Sequence, residues 1–587
     1  MFELILLTIL VWITYYGILN CGFVSDDIEG IQHYDGKLKK FDYGHLNKWL
    51  LYKLCDKSPR RHHIFNVVLH NANVILLFSF LTTFVSIKVA LFTAILFAVH
   101  PVCVQSVGWI SGRGYPISLF FCLLGLNLTG ILKTMPIWGI QPLGSVNLAL
   151  TTIIYSILYY LSIVAQFATL ATFAIQAFLS NYYLAIIGLI ISALAGLGII
   201  KSVISNRTNV FKEQNLGQST KFNIAKIIVA IKTLGYYTKL CFFPKRMGLY
   251  HTFEYHYTDK TEKEDKWFWG GFLVLLLFIT GFWFGNYVVR FAILWYFAYI
   301  FVFLNWITIH QFVSERYVYI PIIGICLLMA LALQYSPIIF AFIVGLYLMR
   351  TWAHLPTYQD EVLYYQSNIW NFPDSEVAFS NLGVVYLKLN LYGSAMDMWA
   401  ISTKINKDYD VGYYNISSCL RQKGELIKAR EFLLKAVTCP SCHFKETWDK
   451  ELKQLDHELN YIKELNELSN KLGILEKDPT KTKEIEGIKK QLDGTNNLHK
   501  IFESNQKMNL TLIQQEQDSL KARLVEIDKN KEIVSKPLTP EKLIEARDRN
   551  FNIIKNTVTN MYKTESNNAE IKSGISEERK QGDINPS

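Results

Sequence analysis

Asp26 and Asp27 stand side by side directly behind the first apolar run, in Gly22-Phe23-Val24-Ser25-Asp26-Asp27-Ile28-Glu29. Adjacent carboxylates at a membrane face are costly to place and suited to acid–base chemistry. One can take a proton from an acceptor hydroxyl while the other holds the acceptor or a divalent metal. A lipid-linked substrate presents its head group at that depth. The plainer reading is a solvated loop with a helix N-cap.

Two further stretches carry groups that suit a phosphate. His100-Pro101-Val102-Cys103-Val104-Gln105-Ser106-Val107-Gly108-Trp109-Ile110-Ser111-Gly112-Arg113 joins two apolar segments. Its Pro ends a helix, Gly112 permits a turn, and Arg113 falls at the membrane face. There a guanidinium grips phosphate through two hydrogen bonds, or snorkels to head groups. Ser314-Glu315-Arg316-Tyr317-Val318-Tyr319-Ile320-Pro321 opens a later segment. Glu315 and Arg316 read by default as a surface ion pair. The alternative makes Arg316 a second phosphate ligand that Glu315 orients. His70 and Asn73, three apart on one face of an apolar segment, point to the site or sit as satisfied intramembrane polar groups. Glu254, His251 and His256 lie in a loop and read mainly as loop residues.

These residues need a membrane scaffold. Apolar runs at 2–20, 64–84, 86–101, 115–133, 147–164, 166–181, 183–201, 268–286, 289–308, 317–334 and 336–351 predict eleven helical spans. The stretch 222–243, interrupted by Lys226, Lys232 and Lys239, is a twelfth span or an interfacial helix. With eleven, residues 21–63, 102–114, 202–267, 309–316 and everything after 352 share one side of the bilayer. The first run lacks a basic flank and a cleavage site, and so reads as a retained helix.

Beyond 352 the pattern turns polar and helical. Asn381 and Asn415, like Ala395 and Ala429, recur 34 residues apart. That is the tetratricopeptide period, with small residues where helices cross. Pro373 precedes the first unit and Pro440 follows the second. From 447, Leu452, Leu455, Leu459, Ile462, Leu465, Leu468, Leu472 and Leu475 form an apolar stripe on a charged amphipathic or coiled-coil helix suited to docking a partner. The reading is therefore all-α: a polytopic transmembrane domain over 1–352, tetratricopeptide-like repeats over 353–446, charged helices over 447–565 and a disordered tail over 566–587.

The Asp-Asp pair, the His-Pro…Trp-Ile-Ser-Gly-Arg loop, the Glu-Arg-Tyr-x-Tyr-x-Pro box and the repeats occur together in this order. In that combination, over residues 1–440, the chain resembles the transmembrane and tetratricopeptide O-mannosyltransferases, one branch of the C-type glycosyltransferase fold. Phe243-Pro244 through Leu249 is similar to their Pro-x-x-Leu segment. The resemblance implies an inverting transferase that moves mannose from a polyprenyl-phosphate or dolichyl-phosphate donor to a protein or glycan acceptor. Asp26 or Asp27 is then the catalytic carboxylate, Arg113 and Arg316 hold the donor phosphate, and Glu315, His100, Gln105 and His70 support them. The chain departs from the family pattern at Gln105, where an acidic residue is usual, at Arg113-Gly114-Tyr115, where a small residue and then an aspartate usually follow the arginine, and at Ala165-Gln166, where a Lys-Glu pair is common. Those departures support a second reading: a membrane assembly subunit that keeps the fold without the chemistry.

Cys439, Cys442 and His443 make a Cys-x-x-Cys-His run, the attachment pattern of c-type haem. A position at the end of a repeat helix offers no haem pocket, so chance spacing or a small disulfide is preferred over haem or half a zinc site. The sequence demands no cofactor and leaves a divalent metal open. The nine cysteines show no disulfide framework, and the net charge of +10 suits solvated surface or anionic head groups rather than nucleic acid. The expected partners are the lipid-phosphate donor, an acceptor protein on the repeats and membrane lipid. The expected location is a membrane, of the endoplasmic reticulum, of another organelle or of a bacterial cell.

Overall fold

The computed structural model describes residues 1–37, 43–134, 224–251, 266–305, 313–440, 442, 444–475 and 487. The expected spans at 147–164, 166–181 and 183–201 lie outside these residues, as do Ala165-Gln166, Glu254, His256, His443 and the tail over 566–587.

Among the described residues all regular structure is helical. Four helical stretches are long and apolar enough to cross a membrane: Phe2–Asn20, Pro59–Leu81, Lys266–Phe284 and Pro337–Tyr358. A fifth is formed if Ile87–Val99 and Pro101–Gly108, which meet at a 51° bend, count as one. The chain is a membrane protein.

The helices are α1 (Phe2–Tyr15), α2 (Tyr43–Cys55), α3 (Pro59–Leu81), α4 (Ile87–Val99), α5 (Val104–Gly108), α6 (Gly114–Thr134), α7 (Ile224–Phe242), α8 (Lys266–Phe284) and α9 (Tyr287–Ile300). After these come α10 (Ile322–Leu333), α11 (Pro337–His354), α12 (Glu361–Asn371), α13 (Glu376–Lys388), α14 (Tyr392–Ile405), α15 (Asp410–Gln422), α16 (Leu426–Thr438) and α17 (Lys445–Leu475).

Helix α3 is central and packs on α1, α4 and α6. It carries polar groups into the core, and His70 and Asn73 among them are bonded across to other elements. His70 places Nε2 3.3 Å from the Ala98 carbonyl and Nδ1 2.7 Å from the Tyr319 hydroxyl. Its Nε2 therefore donates and its Nδ1 accepts. Asn73 donates to the Pro116 carbonyl and to the Tyr319 oxygen. His70 thus serves helix packing, and both its nitrogens are taken.

Two expected spans are shorter than the sequence suggests. Helix α9 has 14 residues and passes into a short turn at Phe301–Phe303. Helix α10 has 12 residues, about 18 Å, because the Glu-Arg-Tyr box is itself a 3₁₀ turn (Glu315–Val318) and Pro321 caps the helix behind it. Helix α7 is continuous and packs along α8, with Lys232 buried. A Cβ on Gly235 would lie 2.6 Å from the Gly271 nitrogen, and one on Gly271 would strike the Ile231 carbonyl. The two glycines permit this close crossing.

The chain divides into two compact units, residues 1–423 with 432–445, and 424–431 with 446–587. In the first, hydrogen bonds cross the expected boundary at 352. Gly22 donates to the Gln359 carbonyl at 3.0 Å. The Tyr250 amide donates to Asn368 Oδ1 at 2.8 Å, and Asn381 donates to the Tyr250 hydroxyl at 2.9 Å. Helices α12 to α15 pack pairwise in sequence. Trp399 lies against Gly383 and donates to the Ser380 carbonyl at 3.0 Å. In the second unit α17 is amphipathic over its first half. Leu455 is buried, whereas Lys453, Gln454, His457, Lys463 and Glu464 are exposed. Arg430 forks onto the Asp456 carboxylate.

Candidate functional site

The chain leaves α1 through a short 3₁₀ turn and reverses at Ser25, whose φ is +54°. This turn separates the two aspartates. Asp26 is exposed, while Asp27 is fully buried. Asp27 Oδ1 accepts the Ser111 amide at 2.7 Å and also the Ser111 hydroxyl, and Oδ2 accepts the Val24 amide at 3.4 Å. Burial pushes its pKa from 3.8 up to about 6, against the opposing pull of the Ser111 hydroxyl and the Arg113 charge.

The loop 105–113 reaches both Asp27 and the Glu-Arg-Tyr turn. Gln105 Oε1 accepts the Ser314 hydroxyl at 2.9 Å and the Arg316 amide at 2.7 Å. A neutral amide oxygen here holds the backbone of the Glu-Arg-Tyr turn. A Cβ on Gly112 would sit 2.8 Å from the Gln105 carbonyl, so only glycine lets the loop close on itself. The Trp109 ring lies 4.9 Å from the Arg316 guanidinium, and Tyr317 flanks that same group at 5.1 Å. Arg316 Nη1 is buried and makes no hydrogen bond.

Arg113 is buried, so the snorkelling reading fails. Its Nε donates to the Ile110 carbonyl at 2.7 Å, and Nη1 and Nη2 each lie 3.2 Å from His62 Nδ1. His62 Nε2 is 2.9 Å from the Asp56 carbonyl and must donate to it, which leaves Nδ1 as the acceptor for Arg113.

Glu315 corrects both sequence readings. It is fully buried, so it forms no surface pair, and its carboxylate does not hold Arg316. Oε1 accepts the Gly248 amide at 2.6 Å and faces His251 Nε2 at 3.1 Å, while Oε2 is 3.9 Å from His354 Nε2. His251 Nδ1 lies 2.8 Å from the Tyr236 hydroxyl. Glu315 therefore fixes the 248–251 segment, and with it Tyr250. His100 is likewise part of the framework: its Nδ1 accepts the Val102 amide and its Nε2 lies 2.8 Å from the Cys241 carbonyl.

Two tyrosines escaped the sequence reading. Tyr358 is within electrostatic reach of Glu315, Arg316 and Asp27 together, and Tyr364 is within reach of Tyr358 and Arg316. The Tyr364 hydroxyl is buried without a hydrogen bond. Ser111, the direct partner of Asp27, was visible only as one letter of the Trp-Ile-Ser-Gly-Arg string.

Among the described residues no three His, Cys, Asp or Glu side chains are placed to hold a metal ion. Cys439 and Cys442 lie in one turn and are not joined by a disulfide. Burial, with Asp410 and Asp408 nearby, pushes the Cys439 thiol up to about 11.

No family profile, curated protein or solved structure matches the chain. The arrangement itself is a buried carboxylate whose pKa burial raises to about 6 and a guanidinium with one buried, unbonded nitrogen, both tied to one loop.

Proposed function

We propose that the protein is a polytopic C-type glycosyltransferase, with eleven spans and tetratricopeptide-like repeats, that moves a sugar, with mannose the first choice, from a polyprenyl-phosphate donor to a protein or glycan acceptor. Asp27 takes the proton of an acceptor hydroxyl. The freed oxygen attacks the anomeric carbon from the face opposite the phosphate. The carbon–oxygen bond to phosphate breaks, and the leaving polyprenyl phosphate carries its charge against Arg316. Asp26, exposed beside Asp27, meets the acceptor. Arg113 steadies the Asp27 charge rather than gripping phosphate.

The observation that carries this reading is the gathering of Asp27, Arg113 and Arg316 around loop 105–113, although 289 residues separate Asp27 from Arg316 in sequence. A second reading, an assembly subunit without transfer chemistry, draws on the full burial of Asp27 and the double bonding of its Oδ1. Transfer of radiolabelled mannose from a polyprenyl-phosphate donor, by the purified full chain, separates the two. The first reading requires turnover that Asp27→Asn abolishes and Asp26→Asn reduces. Equal signal from wild type and both variants sinks it.

A further inference from the structure

The start of α3 and the helix before it carry a feature that the site does not use. Helix α2 packs on α3, and its Leu51 and Cys55 are buried. One residue before each of these, Leu50 and Leu54 point outward, 46% and 66% exposed. They stand one helical turn apart on a single stripe. Beside them Lys53, Lys57, Arg60 and Arg61 are all exposed, and Asp56 is the one carboxylate between 53 and 61. None of the four cations pairs with a carboxylate among the described residues, and Lys53 rests 6.0 Å from the Trp49 ring.

Position decides what this surface meets. Pro59 begins one of the four membrane-crossing stretches, so residues 50–61 lie where that stretch leaves the hydrocarbon. A soluble protein ligand would have to displace lipid head groups to reach exposed leucines there. Two outward leucines in a row, bordered by unpaired lysines and arginines, match a surface that is apolar below and negative above. We infer that α2 and the start of α3 form a docking surface for the anionic phospholipids of one leaflet, with Leu50 and Leu54 inserted among the acyl chains and Lys53, Lys57, Arg60 and Arg61 on the head-group phosphates. The surface adjoins the candidate site, because His62, which follows Arg61, holds Arg113. The inference stands whether or not the protein transfers sugar.

The test is hydrogen exchange on the full chain in nanodiscs of phosphatidylcholine alone, and in nanodiscs with roughly one-third phosphatidylserine. Each basic residue that meets an anionic surface is worth about fivefold in the local opening equilibrium. Amides 50–57 are expected to exchange at least about fivefold more slowly in the phosphatidylserine discs. That protection is expected to fade at roughly 0.5 M salt, where the screening length falls below about 5 Å. Lys53→Gln with Lys57→Gln should lose most of the difference while amides in α10 stay unchanged. Equal exchange in the two disc types, or a difference that salt leaves intact, overturns the inference, and neither measurement requires a variant.

Discussion

Asp27 supplies a prediction in which stability and activity move in opposite directions. Its folded-state pKa, about 6, lies above the unfolded value of 3.8. The fold therefore prefers the protonated carboxyl. That preference is fully present below pH 3.8 and is lost as pH rises through about 6. The gap is about two units at about 1.36 kcal/mol each, so at neutral pH and above the carboxylate holds the fold about 3 kcal/mol below its neutral counterpart. Solvent screening does not reduce this figure, because the side chain is fully buried. Asp27→Asn removes the charge and keeps an oxygen for the Ser111 amide and hydroxyl. It should raise the melting temperature in detergent at pH 8 by something of the order of 5 °C. The advantage should shrink to about half by pH 5. Transfer activity should disappear at every pH. Differential scanning fluorimetry at the two pH values, beside the transfer assay, reads both effects. A lower melting temperature at pH 8, or a shift that ignores pH, would refute the reasoning. Either result would mean that Arg113 and Ser111 outweigh burial and hold the carboxylate in its charged form.

The remaining predictions concern the groups around it. If Asp27 is the base, kcat should fall tenfold per pH unit below about pH 6, and a profile flat to pH 5 removes it from that role. Arg316→Lys replaces a flat guanidinium set against Trp109 and Tyr317 by a point charge; KM for the donor should rise about tenfold or more, with little change in melting temperature. Glu315→Ala leaves the Gly248 amide and His251 facing a buried void, and should cost about 3 kcal/mol, seen as loss of folded protein in a detergent melt. Gly271→Ala drives a methyl into the Ile231 carbonyl and should cost about 1–3 kcal/mol by the same assay, whereas Gly270→Ala, with open space around its Cβ, should be neutral.

Among the described residues the apolar runs fall on helices, because a stretch of twenty apolar residues has few alternatives to a helix in lipid. They were less able to set lengths. The run at 317–334 looks continuous, yet Pro321 and the 3₁₀ turn at Glu315–Val318 take its first turns for the site. Sequence chemistry picked out Asp27, Arg113 and Arg316, which the fold brings to one loop. It misread the partners, since pairing across the chain depends on tertiary geometry. Glu315 precedes Arg316 in sequence but faces His251 and Gly248 in space. His70 could be read from sequence as a site residue or as a satisfied intramembrane group, and His100 entered as a support only through the resemblance; in the fold both satisfy framework carbonyls and amides. Nothing in the pattern of letters marked Tyr358 or Tyr364, whose nearness to Arg316 comes from the chain folding back after α11.

The most direct measurement is a photoreactive polyprenyl-phosphate analogue irradiated with the full chain in nanodiscs, with adducts mapped by mass spectrometry. The account predicts adducts on Trp109 and Tyr317, the rings that flank Arg316, that excess unmodified polyprenyl-phosphate mannose removes and that Arg316→Gln weakens. Saturable adducts confined to other helices, with residues 105–117 and 314–319 clean, would contradict it.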